Sequence, residues 1–244
     1  MAARGPLCEQ VDRAYELLQQ AVTIDPDFSP AYAWLGLNAY FRVLGGYSRD
    51  RRETLTEGRF HCERAISIDE SDAMARVAFS RVLGMSEERE ASIRQARLAV
   101  ELNPNLWWAR QSLAWCFYHV MGEPELALGE FSEAIVRSPQ DPMRWSAEMM
   151  MGASYRAMGE FEEAIRVGRA SCDGGKSHLS FMHLAASLAL AGDIEEAHFA
   201  LDAARHRHTC LSLSNVQAGF SQMHEGSRAP LVDGQGHAAP IANR

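Results

Sequence analysis

The stretch Met151-Gly152-Ala153-Ser154-Tyr155-Arg156-Ala157-Met158-Gly159-Glu160-Phe161-Glu162-Glu163-Ala164 decides the fold. Gly159 interrupts an amphipathic run, and a glycine there ends a helix by taking a left-handed conformation at no steric cost. Ala164 follows five residues later, small enough to let a second helix lie close against the first. Behind it, Phe161 and Ile165 fall on one side of that second helix, giving it a single apolar stripe. The same glycine-to-alanine interval recurs at Gly122 with Ala127 and at Gly192 with Ala197. Phe131 with Ala134 and Leu201 with Ala204 continue the respective stripes.

A second phrase marks where each pair of helices ends: an alanine-led amphipathic turn running into polar residues and often proline. It reads Ala21-Val22-Thr23-Ile24-Asp25-Pro26, then Ala65-Ile66-Ser67-Ile68-Asp69-Glu70, Ala99-Val100-Glu101-Leu102-Asn103-Pro104 and Ala134-Ile135-Val136-Arg137-Ser138-Pro139. The last three alanines lie 34 and 35 residues apart. Periodicity and breakers predict helices at 9–24, 29–44 with 52–68, 72–84 with 88–102, 106–121 with 124–137, 143–158 with 161–172, and 178–191 with 194–206. No strand is expected. Gly45 to Asp50 reads as a loop, and its neighbouring arginines, Arg49, Arg51 and Arg52, either anchor it or are simply solvated. A polar helix at 212–222 is expected to cap the open end. From Glu225 to Arg244 the chain is rich in Gly, Pro and Ala without a helical stripe, which predicts disorder.

These positions resemble the tetratricopeptide-repeat (TPR) family, whose pattern sets a large residue, Leu-Gly, Tyr, Gly, Ala, an aromatic, Ala and Pro at fixed places in a 34-residue unit. Met151-Gly152, Tyr155, Gly159 and Ala164 fit it best. Trp34-Leu35-Gly36 behind Pro26 is a second match, and Leu113-Ala114, Phe117, Gly122, Ala127, Phe131, Ala134 and Pro139 a third. The chain departs from the pattern with about ten extra residues around Gly45 to Thr54, with Ser92 where alanine is expected, and with no proline after Ala204. The resemblance implies an all-α, right-handed superhelix of about five to six hairpins over residues 9–222, followed by the tail at 225–244. It also implies a non-catalytic protein-protein interaction module that holds a partner peptide or helix in a concave groove lined by the first helix of each hairpin. The run from Ser138-Pro139-Gln140-Asp141-Pro142 through Arg144-Trp145 to Tyr155, with His183-Leu184-Ala185-Ala186 later, is similar to the repeat region following the catalytic domain of bacterial class III adenylate or guanylate cyclases and of some regulators. That likeness implies the alternative of a sensory part lacking its effector domain.

Composition narrows the function classes. With a formal net charge of −8, the chain's mean field opposes a phosphate backbone, so nucleic acid is not expected as a partner. Five cysteines without a CxxC pair suit a reducing, cytoplasmic setting. No stretch is apolar for the roughly 20 residues that span a bilayer, so no membrane partner is expected. Oligomeric state leaves no mark in the sequence.

No Gly-rich phosphate loop, HExxH helix or serine elbow is present, and neither enzyme nor cofactor is expected. His198, His206, His208 and Cys210 offer zinc-ligand chemistry, but His206 and His208 are two apart and lack the one-face spacing of a helical ligand pair. Exposed or capping histidines are the reading, with a metal site as the alternative. Cys116 between Trp115 and Phe117 reads as a buried, inert thiol. Laying the TPR register on the chain places Arg81, Trp108, Gln111, Trp115, Tyr118, His119, Met149, Arg156 and His183 on or near the groove. Aromatic and arginine side chains dominate binding hot spots, although some of these rings must fill the core instead, because Trp107 and Trp108 cannot both point inward. Arg81 and Arg156 need a carboxylate or water, and Glu148 is a candidate partner within the chain. The Lys and Asn carboxylate clamp of chaperone-binding TPR proteins is absent, the single lysine, Lys176, lying outside the predicted grooves.

Overall fold

A computed structural model describes residues 6–174 and 177–207, and among these every regular element is helical. In order they are α1 (Pro6–Ile24), α2 (Ser29–Leu44), α3 (Arg51–Ile68), α4 (Ala73–Met85), α5 (Arg89–Leu102), α6 (Trp107–Trp115), a π-helical segment (Cys116–Met121), α7 (Pro124–Arg137), α8 (Arg144–Ala157), α9 (Phe161–Gly174), α10 (His178–Ala191) and α11 (Ile194–Arg207). The expected cap at 212–222, the tail at 225–244, and His208 and Cys210 lie outside the described residues. Where the sequence suggests one run of repeats, the chain falls into two compact units, Met1–Cys116 and Phe117–Arg244. The first contains α1, the hairpins α2/α3 and α4/α5, and α6; the second contains α7 and the hairpins α8/α9 and α10/α11.

Local chemistry sets the helix ends. Asp72 caps α4 by accepting from the main-chain N–H groups of Met74 (2.8 Å) and Ala75 (3.2 Å), and Asp50 caps α3 by accepting from Glu53 N–H (3.0 Å). Gly159 and Gly192 take the left-handed conformation the sequence requires of them, with φ of 81° and 93°. Past each glycine, the next N–H reaches back five residues, Glu160 to Tyr155 O (2.9 Å) and Asp193 to Leu188 O (2.9 Å), closing Schellman turns. At Gly122 (φ 75°) the corresponding bond runs from Glu123 N–H to Phe117 O (2.8 Å), one residue further. That extra residue is absorbed in the π-helical turn, which is how a 35-residue interval is fitted into a frame of 34.

The α4–α5 turn makes the same reach-back, Glu88 N–H to Leu83 O (3.0 Å), but here a non-glycine residue, Glu87, carries the positive φ of 66°. The sequence places a break between helices 72–84 and 88–102, but with no glycine in it nothing marks Glu87 as the residue that takes the positive φ. At the loop before α3, Arg51 donates to Met85 O (2.8 Å), so one of the three arginines there ties two hairpins together, while Arg49 and Arg52 are exposed.

The repeated small residues do what their spacing implies. Ala65, Ala99, Ala127, Ala134, Ala164, Ala197 and Ala204 are all buried. In unit 1, α2 and α3 leave no room for a side chain at Gly36 or Gly58: a Cβ on Gly36 would sit 2.3 Å from Cys62 Sγ, and one on Gly58 2.7 Å from the Ala39 Cβ. Ser92 replaces alanine at a fully buried position because its hydroxyl donates to Ser80 O (2.8 Å) rather than going unsatisfied.

Candidate functional site

Side chains two turns apart on a helix share a face. On α2 this joins Trp34 to Phe41, on the opposite side from Gly36, where the helix meets α3. On α6 it joins Trp108, Gln111 and Trp115. These two faces meet across α4: the Trp34 and Trp108 rings lie 6.0 Å apart edge to face, Phe41 and Trp108 6.5 Å, and Tyr40 and Trp115 5.8 Å. The result in unit 1 is an aromatic surface over three first helices. Trp34 is 40% exposed, Phe41 and Trp108 are half-buried, and Tyr40 and Trp115 lie buried.

Arg81 of α4 lies against those buried rings. Its guanidinium carbon is 4.7 Å from the Trp115 ring centre and 5.2 Å from that of Tyr40, both cation–π contacts. Its Nη2 donates to Gln111 O (3.2 Å) and to Gln111 Oε1, and its Nη1 to Tyr40 OH (3.3 Å). Nε has no partner, and among the described residues no carboxylate is paired with the group, which is 2% exposed. Burial draws the guanidinium below its ordinary value, opposed by Tyr40, while burial raises the Tyr40 phenol. An arginine stays charged through such a shift, so a cation stands here among dipoles and ring faces alone.

Unit 2 holds a second buried arginine. Arg156 of α8 donates through Nη1 to His183 O (3.1 Å) and Ser187 Oγ (3.1 Å), and its Nη2 faces His183 Nδ1 at 3.3 Å. A guanidinium nitrogen can only donate, so Nδ1 accepts and the imidazole carries its proton on Nε2. Burial first, and the Arg156 cation second, hold His183 well below the ordinary histidine value, leaving it neutral at pH 7. Tyr118 of the π segment bonds to Arg156 and donates to Ala153 O (3.3 Å). Glu148, the candidate acid for Arg156, instead accepts from Arg144 Nε (2.8 Å), one helical turn earlier on its own helix.

Of the nine residues placed near a groove by the TPR register, Arg81, Trp108, Gln111 and Trp115 come together in unit 1, and Tyr118, Arg156 and His183 in unit 2. His119 stacks edge-on with Tyr118 at 4.7 Å, and Met149 is buried on α8. All nine except Trp108 are buried, because long side chains on neighbouring first helices fill the space between those helices. Trp107 turns inward and Trp108 joins the aromatic surface. The sequence reading misses Trp34, Tyr40 and Phe41 as members of this cluster, although the seven-residue interval from Trp34 to Phe41 carries the signal.

Other reactive side chains sit in quieter surroundings. His198 and His206 are exposed. Among the described residues no group of three His, Cys, Asp or Glu side chains is placed to hold a metal ion. Burial raises the Cys62 and Cys116 thiols, and Cys172 is pushed up to about 12 by burial first and Asp173 second. Among the described residues no helix is long and apolar enough to cross a membrane.

No family model and no curated protein sequence matches the chain. Solved structures do match in fold. PilW, a widely conserved type IV pilus biogenesis factor, is 15% identical with a TM-score of 0.61, over 80% of this chain and 89% of its own. TTC0263, a thermophilic TPR protein of Thermus thermophilus, is 15% identical with a TM-score of 0.60, over 77% of this chain and 98% of its own. The Cut9-Hcn1 hetero-tetramer of the APC/C gives 12% identity and a TM-score of 0.67, over 95% of this chain and 44% of the matched chain. The chain therefore has the all-helical TPR fold.

Proposed function

We propose that this protein is a non-catalytic interaction module that holds a segment of a partner protein against the first-helix face of unit 1. One observation carries the reading: Trp34, Phe41 and Trp108, from α2 and α6, form a partly exposed aromatic surface that spans three first helices. A tryptophan 40% exposed costs free energy in water that covering it recovers, at about 25 cal/mol per Å² of apolar surface removed from solvent. Rings also bring large contact area with few rotatable bonds, so little entropy is lost on binding. The buried frame beneath, with Tyr40 and Trp115 clasping Arg81, holds those rings in place before a partner arrives.

The test is affinity capture with the intact chain and with Trp34→Ala and Trp108→Ala variants. Proteins captured by the intact chain are expected to be lost or reduced at least about tenfold with each variant, as for removal of a hot-spot ring. Undiminished recovery by both variants would remove this surface from the function.

A further inference from the structure

Acidic side chains outnumber basic ones in this chain, 32 to 24, and several half-buried arginines find one, while Arg51 and Arg76 settle on carbonyl or amide oxygens. Arg42 pairs with Glu57, Arg59 with Glu88 and Arg64 with Asp27. Arg81 is more buried than any of these and has none among the described residues. A charge removed from water needs a counter-charge or a full set of hydrogen bonds, and Arg81 has neither, since Nε goes without a partner. What occupies the counter-ion's place is the Gln111 side-chain oxygen, an uncharged isostere of a carboxylate oxygen. Gln111 stands on the same stripe of α6 as Trp108, one turn from the exposed aromatic surface.

We propose that Arg81 is an anion-recognising group: the partner is an acidic segment that lays a bulky apolar side chain on the Trp34, Phe41 and Trp108 rings and delivers an Asp or Glu carboxylate to the guanidinium in place of the Gln111 amide. This rests on the interaction reading above and specifies the chemistry of its partner. The net charge of −8 opposes an anion at long range, but at Arg81 the local charge favours a carboxylate, which meets the guanidinium with two parallel bonds between opposite charges where the Gln111 amide offers one uncharged oxygen. The flanking Tyr40 and Trp115 rings hold the guanidinium in one orientation, so its donors are presented without further loss of rotamer freedom. Arg156, the other buried arginine without a carboxylate among the described residues, has as many acceptors on its Nη atoms and an unpartnered Nε of its own; what sets Arg81 apart is the part-exposed ring cluster built over it.

The experiment selects a displayed library of random twelve-residue peptides on the full chain, then titrates the enriched peptides and copies in which every Asp and Glu is replaced by Asn and Gln. Enriched sequences are expected to carry an acid beside a bulky apolar residue, and their amide copies to bind about 10- to 100-fold more weakly. Gln111→Glu supplies Arg81 with an internal carboxylate at nearly unchanged volume, so the variant keeps its helical circular dichroism and is expected to bind acidic and amide peptides alike. Equal binding of both peptide forms to the intact chain, or an acid preference that persists in Gln111→Glu, overturns the assignment while leaving peptide binding standing. If no peptide enriches, the interaction reading fails with it.

Discussion

Glu87 occupies a backbone conformation that L-residues avoid, at φ 66° on an exposed corner. The left-handed region costs such a residue about 1–2 kcal/mol, whereas glycine enters it freely and gives back roughly 0.5–1 kcal/mol through its larger unfolded-state entropy. Glu87→Gly is therefore expected to stabilise the protein by about 0.5–1 kcal/mol, read as a higher urea midpoint at unchanged slope. His183 supplies a second residue-scale expectation. Its folded-state pKa is depressed, so the unfolded chain binds the extra proton first, and stability is complete above the ordinary value of 6.5 and falls as pH drops below it. The buried His61, beside Glu57, adds in the same sense, since burial lowers its value as well. Urea midpoints measured from pH 7 to pH 5 are expected to fall at up to about 1.4 kcal/mol per pH unit for each such histidine. In His183→Gln, which keeps an acceptor for Arg156, that slope should be reduced. A flat profile in the wild type would contradict the buried, neutral imidazole.

At the scale of elements, two glycines should respond oppositely to the same substitution. Gly58 of α3 has no room for a methyl group, its Cβ position lying 2.7 Å from the Ala39 Cβ of α2, and Gly58→Ala is expected to cost about 1–3 kcal/mol by forcing the pair apart. Gly129 lies exposed in the middle of α7 with nothing near a new Cβ, and Gly129→Ala is expected to stabilise by up to about 1 kcal/mol through helix propensity. Thermal melts of the two variants check both signs. Elements were the most legible level in the sequence, because glycine and alanine spacing reports a backbone requirement directly: Gly159, Gly192 and the buried alanines all sit where the pattern needs them. The 35-residue interval from Ala99 to Ala134 was visible as a number, but nothing in the residue types shows that the extra residue enters a π turn of the first helix and leaves the loop unchanged. Glu87 was illegible for the converse reason, as it performs a glycine's task without being one.

At the scale of the molecule, the TPR fold could be read from several weak matches in register, while the candidate site could be read only in outline. Register places Arg81, Trp108, Gln111 and Trp115 on first helices. It does not show that their side chains are long enough to meet and fill the space between helices, nor that Trp34 and Phe41 close over α4 from the neighbouring hairpin. Pairing was equally hidden, since Glu148 turns to Arg144 because that partner is one turn away on the same helix. What emerges is a face in unit 1 whose rings are part-exposed and whose central cation has no counter-charge. The most direct measurement is site-specific photo-crosslinking with a benzophenone side chain placed at Trp34 and, for comparison, at Leu126, a similarly exposed position on α7. The account predicts a discrete partner adduct from position 34 and none from position 126. An adduct formed from 126 alone, or equally from both, would contradict it.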